Sequence, residues 1–278
     1  MNPEPRLRED YTERQVEAAR RVLVDVGQVL AQFADCMVLV GGWIPDLLLP
    51  DADEPHVGSI DVDLALDAGK LSEGRYAELL TLLSATGRYK PGAKDFQLVV
   101  DVDLKDGEPA VQVEVEFLAP KDVKLKKKGP KLLADFRVLQ ADDCGAAFHA
   151  PVEHRFSGQN VRGARNTVRL RVASLADFLV MKAHAIGGRE KPKDAYDLCY
   201  CLQNCTGGFA KLAHDWKGRL GEKDVARAVE LLREKFASPN AFGPQQVVEF
   251  YNSPGAEEQA MQARRAYELV LGFLGRIT

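Results

Sequence analysis

Asp61 and Asp63, separated by one valine, lie inside an apolar run that reads Ser59-Ile60-Asp61-Val62-Asp63-Leu64-Ala65-Leu66. On an extended strand, side chains at i and i+2 leave the same face, so the two carboxylates point together while Ile60, Val62 and Leu64 point into a core. Neighbouring carboxylates repel, and a shared hard cation relieves the repulsion. Mg2+ takes oxygen ligands and usually brings a nucleotide's phosphates with it. Upstream, Gly41 and Gly42 suit a backbone turn that must pass close to those phosphates. The competing reading, a simple cation-binding loop over 51–67, lacks the oxygen-ligand cadence and the glycine of an EF-hand.

A second set of chemistry-bearing residues lies in the C-terminal half. Leu175, Phe178, Leu179, Lys182 and Ile186 fall at helical spacing, which puts Lys182 on an apolar stripe. A buried unpaired ammonium is costly, so this lysine either snorkels to water or meets an anion. The stretch Gly187–Leu198 reads as a loop followed by a helix with Pro192 in its first turn. There Asp194 and Asp197 share a face near the helix N-terminus, with Arg189 and Lys193 close by in sequence. Over 110–118, Val111, Val113, Val115 and Phe117 alternate with Gln112, Glu114 and Glu116, so one face of a strand is acidic. Six lysines between Lys121 and Lys131 describe either a solvated loop or one that tracks phosphates. The five cysteines, at 36, 144, 199, 201 and 205, make no even disulfide framework. Cys199-x-Cys201-x3-Cys205 sits in a helical pattern without the spacing of a zinc ribbon, so these thiols read as structural.

The elements that must position these groups follow from periodicity. An amphipathic helix is expected over 11–34, a strand over 36–40, a short helix over 43–49 stopped by Pro50, and a turn-rich loop over 51–58. The carboxylate strand spans 59–66 and a returning helix 71–85. Strands at 95–104 and 110–118 are joined by the turn Lys105-Asp106-Gly107-Glu108. Short strands and turns fill 134–171, and from Ser174, a plausible N-cap with Asp177 at N3, the chain is helical. Further helices are expected at 208–219, 222–236 and 256–275. With 278 residues there is material for one large or two modest domains. A net charge of −4 argues against a globally basic nucleic-acid coat but leaves room for a local basic patch. A polar N-terminal stretch and the lack of any membrane-length apolar run lead us to expect a cytoplasmic protein with no membrane partner.

The glycine turn before a short helix, followed by Asp61-Val62-Asp63, resembles the nucleotidyltransferase superfamily of DNA polymerase beta and the minimal nucleotidyltransferases. The lysine on an apolar helix, the arginine seven residues on, and Lys193-Asp194-x-x-Asp197-Leu198 resemble its AbiEii/AbiGii toxin-like branch, which includes the MenT toxins. The likeness covers residues 36–120 and 172–202. It implies an α+β fold, with a nucleotidyltransferase-type mixed β-sheet domain flanked by helices over 1–172. An all-helical domain over 173–278 would contribute a phosphate-binding lysine. The implied activity is transfer of a nucleoside monophosphate from an NTP, with Mg2+ or Mn2+ held by Asp61, Asp63 and Glu116, Glu114 being the alternate. Catalytic roles are implied for Asp61, Asp63, Lys182, Asp194 and Asp197, and nucleotide contacts for Gly41, Gly42, Ser59, Lys182, Arg189 and Lys193. An RNA acceptor, the 3′ end of tRNA, and a partner antitoxin are implied as well. The likeness departs at Val57, where family members often carry a basic residue. A small-molecule nucleotidyltransferase of the aminoglycoside type, and a non-catalytic nucleotide- or partner-binding module, remain open alternatives.

Overall fold

A computed structural model describes residues 4–67, 69–71, 73–121, 137–141 and 144–277. The chain divides into two compact units. One, the sheet unit, comprises Thr12–Ile44 and Gly58–Ser174; the other, the helical unit, comprises Met1–Tyr11, Pro45–Val57 and Leu175–Thr278.

In the sheet unit, Thr12 caps helix α1 (Glu13–Val29), its side chain accepting from the Gln15 backbone N–H while Gln15 reaches back in a capping box. The buried side of α1 carries Ala18, Ala19, Val22, Leu23 and Val26. The helix expected over 11–34 is shorter than its periodicity: beyond Leu30 the chain tightens into a 3-10 turn, Ala31–Cys36, where Phe33 N–H donates to the Leu30 carbonyl. The turn leads into β1 (Met37–Val40), and α2 follows (Trp43–Leu48). Next come β2 (Asp61–Leu66), α3 (Glu73–Ala85), β3 (Lys90–Pro91), β4 (Gln97–Val102) and β5 (Val111–Pro120). The last strands are β6 (Leu139–Ala141), β7 (Val152–Gln159) and β8 (Arg165–Val172).

Together they form one mixed sheet ordered β3-β4-β5-β2-β1-β8-β7, with β6 beside β5. β1 runs antiparallel to β2 and parallel to β8, while β2 and β5 are parallel. Val62, Leu64, Val113, Val115 and Phe117 are buried and share one face of the sheet, the period-2 arrangement expected from the sequence. The β4–β5 connection turns as expected at 105–108, with Lys105 at φ 62° and Gly107 at φ 87°. The carboxylates of Asp103 and Asp106 accept the backbone N–H groups of Lys105 and Glu108. Two details go beyond the sequence expectation. β3 is a two-residue strand at the edge, and the segment before β7 includes a 3-10 helix, Cys144–Phe148. Of the lysine-rich stretch only Lys121 is described; the other lysines, to Lys131, lie outside the described residues.

The helical unit contains α4 (Leu175–Gly188), α5 (Pro192–Asn204), α6 (Ala210–Gly218), α7 (Lys223–Lys235), α8 (Phe242–Tyr251) and α9 (Ala256–Ile277). Pro192 opens α5, where its missing N–H costs nothing. Trp216 is fully buried and donates its indole N–H to the Ala176 carbonyl, 3.0 Å, with Phe273 edge-on at 5.2 Å. Gly187 lets α4 approach α7: a Cβ there would sit 2.5 Å from Leu231 Cδ2. Helix α8 has no counterpart in the sequence expectation, which marked only the loops on either side of it. Its start, Phe242-Gly243-Pro244, reads as a breaker, yet Pro244 falls in the first turn, where proline is tolerated. Asn252, in the left-handed region at φ 49°, ends it. No described helix is long and apolar enough to cross a membrane.

Candidate active site

The carboxylate strand behaves as its alternation requires. β2 and β5 are paired so that Asp61 stands beside Glu114 and Asp63 beside Glu116. Registered neighbours share a face, so all four carboxylates lie on the side of the sheet opposite Val62, Leu64, Val115 and Phe117. Asp61, Asp63 and Glu116 are each held by a specific device. Ser59, 2% exposed, donates its hydroxyl to Asp61 Oδ1 at 2.6 Å, and the Trp43 indole N–H fixes the Asp61 carbonyl at 2.7 Å. Gly41 adopts φ +76°, and a Cβ placed there would lie 2.1 Å from Asp63 Oδ2. The glycine turn is therefore closed directly onto the Asp63 carboxylate, and only a residue without a side chain fits. Gly42 is buried in the same turn.

Glu116 accepts from Gln97 Nε2 at 3.0 Å and lies 3.6 Å from the Lys94 ammonium. Glu114, on the same face, is exposed. Of the two acidic candidates on β5, Glu116 is the less exposed. Among the described residues no group of three or more His, Cys, Asp or Glu side chains forms a ready-made metal cage. Mg2+ does not need one, since it binds through one or two carboxylates with water and substrate phosphates completing the shell. An all-oxygen donor set on one face suits such an ion.

In the helical unit, Lys182 is 8% exposed and does not snorkel. Its ammonium lies 2.6 Å from Asp194 Oδ1 and 2.7 Å from Asp197 Oδ2. Burial works against the charge, but the two aspartates outweigh it and hold the lysine pKa above its ordinary value. Arg189 grips Asp194 with two bonds, Nε to Oδ2 at 2.7 Å and a terminal nitrogen to Oδ1 at 3.0 Å. Against the opposing effect of burial, Lys182 and Arg189 draw the Asp194 carboxyl down to about 2. Lys193 bonds Asp197 Oδ1 at 2.8 Å and stands over the Tyr11 ring at 5.3 Å. Three cations against two carboxylates leave the cluster with a net charge of +1.

Two participants escaped the sequence reading. His56, from the turn-rich loop, has a fully buried side chain whose Nε2 meets Asp197 Oδ1 at 2.9 Å. Its ring stacks on Tyr196 at 5.3 Å and meets Tyr200 edge-on at 4.9 Å. Burial, then the Lys193 charge, pushes this imidazole down to about 4, so it is neutral at pH 7. Nothing local in the sequence marks a partner 141 residues away. Gln97, the support of Glu116, is its registered neighbour on β4, a signal legible only once the strand register is known. The five cysteines are all free and buried, and burial raises the Cys199 thiol to about 12. That is the behaviour of structural thiols, as expected, rather than of metal-binding thiolates.

Residues 21–268 match the family Nucleotidyl transferase AbiEii toxin, Type IV TA system. No curated protein matches the chain. Among solved structures, an antigenic nucleotidyltransferase-like protein from Paracoccidioides brasiliensis is similar at 17% identity, covering 78% of this chain and 88% of the other, with a TM-score of 0.43. JHP933 from Helicobacter pylori is similar at 15% identity, with 95% and 94% covered and a TM-score of 0.39. MenT4, a nucleotidyltransferase toxin from Mycobacterium tuberculosis H37Rv, is similar at 15% identity, with 95% and 89% covered and a TM-score of 0.41. The family match spans most of the chain and takes in both the carboxylate face and the lysine–aspartate cluster, and this protein belongs to the AbiEii nucleotidyltransferase toxin family.

Proposed function

We propose that the enzyme transfers a nucleoside monophosphate from an NTP to the 3′ end of an RNA, with tRNA as the acceptor class. A divalent ion, Mg2+ or Mn2+, would be held by Asp61, Asp63 and Glu116. When bound, it lowers the pKa of the acceptor hydroxyl and neutralises charge on the triphosphate. The acceptor oxygen forms a bond to the α-phosphorus, the bond from that phosphorus to the β-phosphate bridging oxygen breaks, and pyrophosphate departs with the electron pair. A carboxylate of the β2–β5 face takes the hydroxyl proton. The Gly41-Gly42 turn and the Ser59 hydroxyl, which anchors Asp61, serve the phosphates. Lys182, Arg189 and Lys193 are assigned to stabilising phosphate charge, with Asp194 and Asp197 as the carboxylates that keep them charged and placed.

The observation that carries this reading is the registered pairing of Asp61 and Asp63 with Glu114 and Glu116, with the Gly41 turn closed on Asp63. That arrangement serves no packing purpose, because like charges directly across a ladder are destabilising. An antitoxin is the proposed protein partner, on the ground of family membership, and the cytoplasm the proposed setting. Incubation with each α-labelled NTP, Mg2+ and total tRNA tests the acceptor class. Label recovered in RNA supports the proposal. Label found only on small hydroxyl compounds replaces it with a small-molecule transferase.

A further inference from the structure

The β7–β8 hairpin carries a charge pattern that neither the carboxylate face nor the lysine–aspartate cluster uses. Between Val152 and Val172 there are five arginines and one acidic residue, Glu153, a local charge of +4 in a chain whose net charge is −4. The apolar residues of the hairpin, Phe156, Val168, Leu170 and Val172, are buried, and Val168 and Leu170 lie where a Cβ on Gly27 of α1 would touch them. The opposite face shows Arg155, Ser157, Arg165, Thr167 and Arg169 to solvent.

Arg155 is registered directly opposite Arg169. Like charges in that position destabilise a ladder, and none of Arg155, Arg162, Arg165 and Arg169 meets a carboxylate at ion-pair distance among the described residues. Arg171 is held by the Asp35 carbonyl at 2.7 Å. The hydroxyls of Ser157 and Thr167 bond each other at 2.8 Å, between the Arg155–Arg169 pair and Arg165, whose registered partner is Gln159. By contrast, exposed Arg227 and Arg264 each pair with a glutamate one turn away, the ordinary arrangement of a solvated helix arginine.

Register settles which side of the sheet this strip faces. Leu39 pairs with both Leu64 and Val172, so Val172, Leu170 and Val168 lie with Leu64 on the α1 side. Val40 pairs with Asp63. Arg165, Arg169, Arg171 and, across the ladder, Arg155 therefore share the face of Asp61 and Asp63. Only β1 separates β8 from β2, about 10 Å across the strands, while along β8 Arg169 and Arg165 lie about 13 and 26 Å behind the level of Asp63.

We propose that this arginine strip is a docking surface for the phosphate backbone of a nucleic-acid acceptor, on the same side of the sheet as the carboxylates. The inference rests on the reading of the acceptor as RNA. Guanidinium forks match phosphate oxygens two bonds at a time, and side chains at i and i+2 repeat every ~6.7 Å along a strand. A flat row of arginines with hydroxyls between them suits a backbone rather than a base edge, so binding is indifferent to sequence and sensitive to salt.

The test uses the full chain and fluorescent total tRNA, without NTP, with affinity measured from 50 to 200 mM salt. Substituting Arg155→Ser, Arg165→Ser and Arg169→Ser together should weaken binding at least about tenfold and lower the salt slope by roughly 2 to 3. The corresponding three Arg→Lys substitutions should keep most of the slope, and Arg227→Ser with Arg264→Ser should change neither quantity. In the labelling reaction the triple serine variant should raise KM for RNA with little change in kcat. An unchanged affinity and slope in a folded triple variant overturns the strip, whether or not an acidic protein is found to bind there, while RNA labelling by the wild type leaves the acceptor reading standing. A wild type that neither binds nor labels RNA but modifies small hydroxyl compounds overturns both.

Discussion

Replacing Gly41 by Ala separates the placement of Asp63 from general stability. At φ +76° the new residue sits in the left-handed region, which costs an L-residue ~1–2 kcal/mol. Its Cβ would lie 2.1 Å from Asp63 Oδ2, whereas ordinary van der Waals contact starts at 3.4 Å. The carboxylate must therefore retreat by about 1.3 Å or leave its rotamer. A displacement of ~1 Å in a reacting constellation costs on the order of 100-fold in rate. Gly107 provides the control: its φ is +87° and a Cβ there meets nothing within 4 Å, so Gly107→Ala carries the backbone cost alone. Urea unfolding should show a loss of ~1–2 kcal/mol in Gly107→Ala and about 0.5–1.5 kcal/mol more in Gly41→Ala, where Asp63 is also driven from its rotamer. Labelling from α-labelled NTP should fall about 100-fold in Gly41→Ala and stay near wild type in Gly107→Ala. Wild-type labelling by a folded Gly41→Ala protein would refute the claim that the glycine turn exists to seat Asp63.

Other perturbations follow from the same geometry. Lys182→Met removes an ammonium shared by Asp194 and Asp197, each of which keeps another cation, so labelling should drop ~100-fold or more while the protein still folds, as circular dichroism and kcat would report together. Asp197→Asn takes the charged partner from Lys182, Lys193 and His56 at once, and denaturant unfolding should show a loss of about 3–5 kcal/mol. His56 titrates near 4 when folded and near 6.5 when unfolded, so between these values only the unfolded chain takes up the proton. Its contribution is complete above pH 6.5 and is lost as pH falls toward 4, about 3 kcal/mol in all; His56→Leu should flatten that part of the stability–pH curve. Glu116→Gln should raise the Mg2+ concentration for half-maximal labelling roughly tenfold, with Glu114→Gln nearly silent.

Much of this was legible in the residues because it depends on period alone. Alternation placed Asp61 and Asp63 on one face, and it gave the same parity to Glu114 and Glu116, but it could not choose between them. Gln97 and Lys94 reach Glu116 across a hairpin, contacts that alternation does not show. The helical stripe located Lys182, and the Asp194–Asp197 spacing supplied its partners. His56 stayed hidden because a loop histidine carries no periodicity, and its partner is fixed only by tertiary folding. The arginine strip was present in the alternation of 165–172, yet without register nothing tied it to the carboxylate side. Helix α8 was missed because a Gly-Pro pair suppresses a helix in its interior and is harmless in its first turn.

Asp61 and Asp63 are proposed to support transfer of a nucleotidyl group, and label position tests this most directly. With RNA, Mg2+ and NTP labelled separately at the α- and γ-phosphates, the wild type should place α-label in RNA and release γ-label as pyrophosphate. Asp61→Asn and Asp63→Asn, each folded, should do neither. Transfer of γ-label to the acceptor, or undiminished α-label incorporation by the two asparagine variants, would contradict the account.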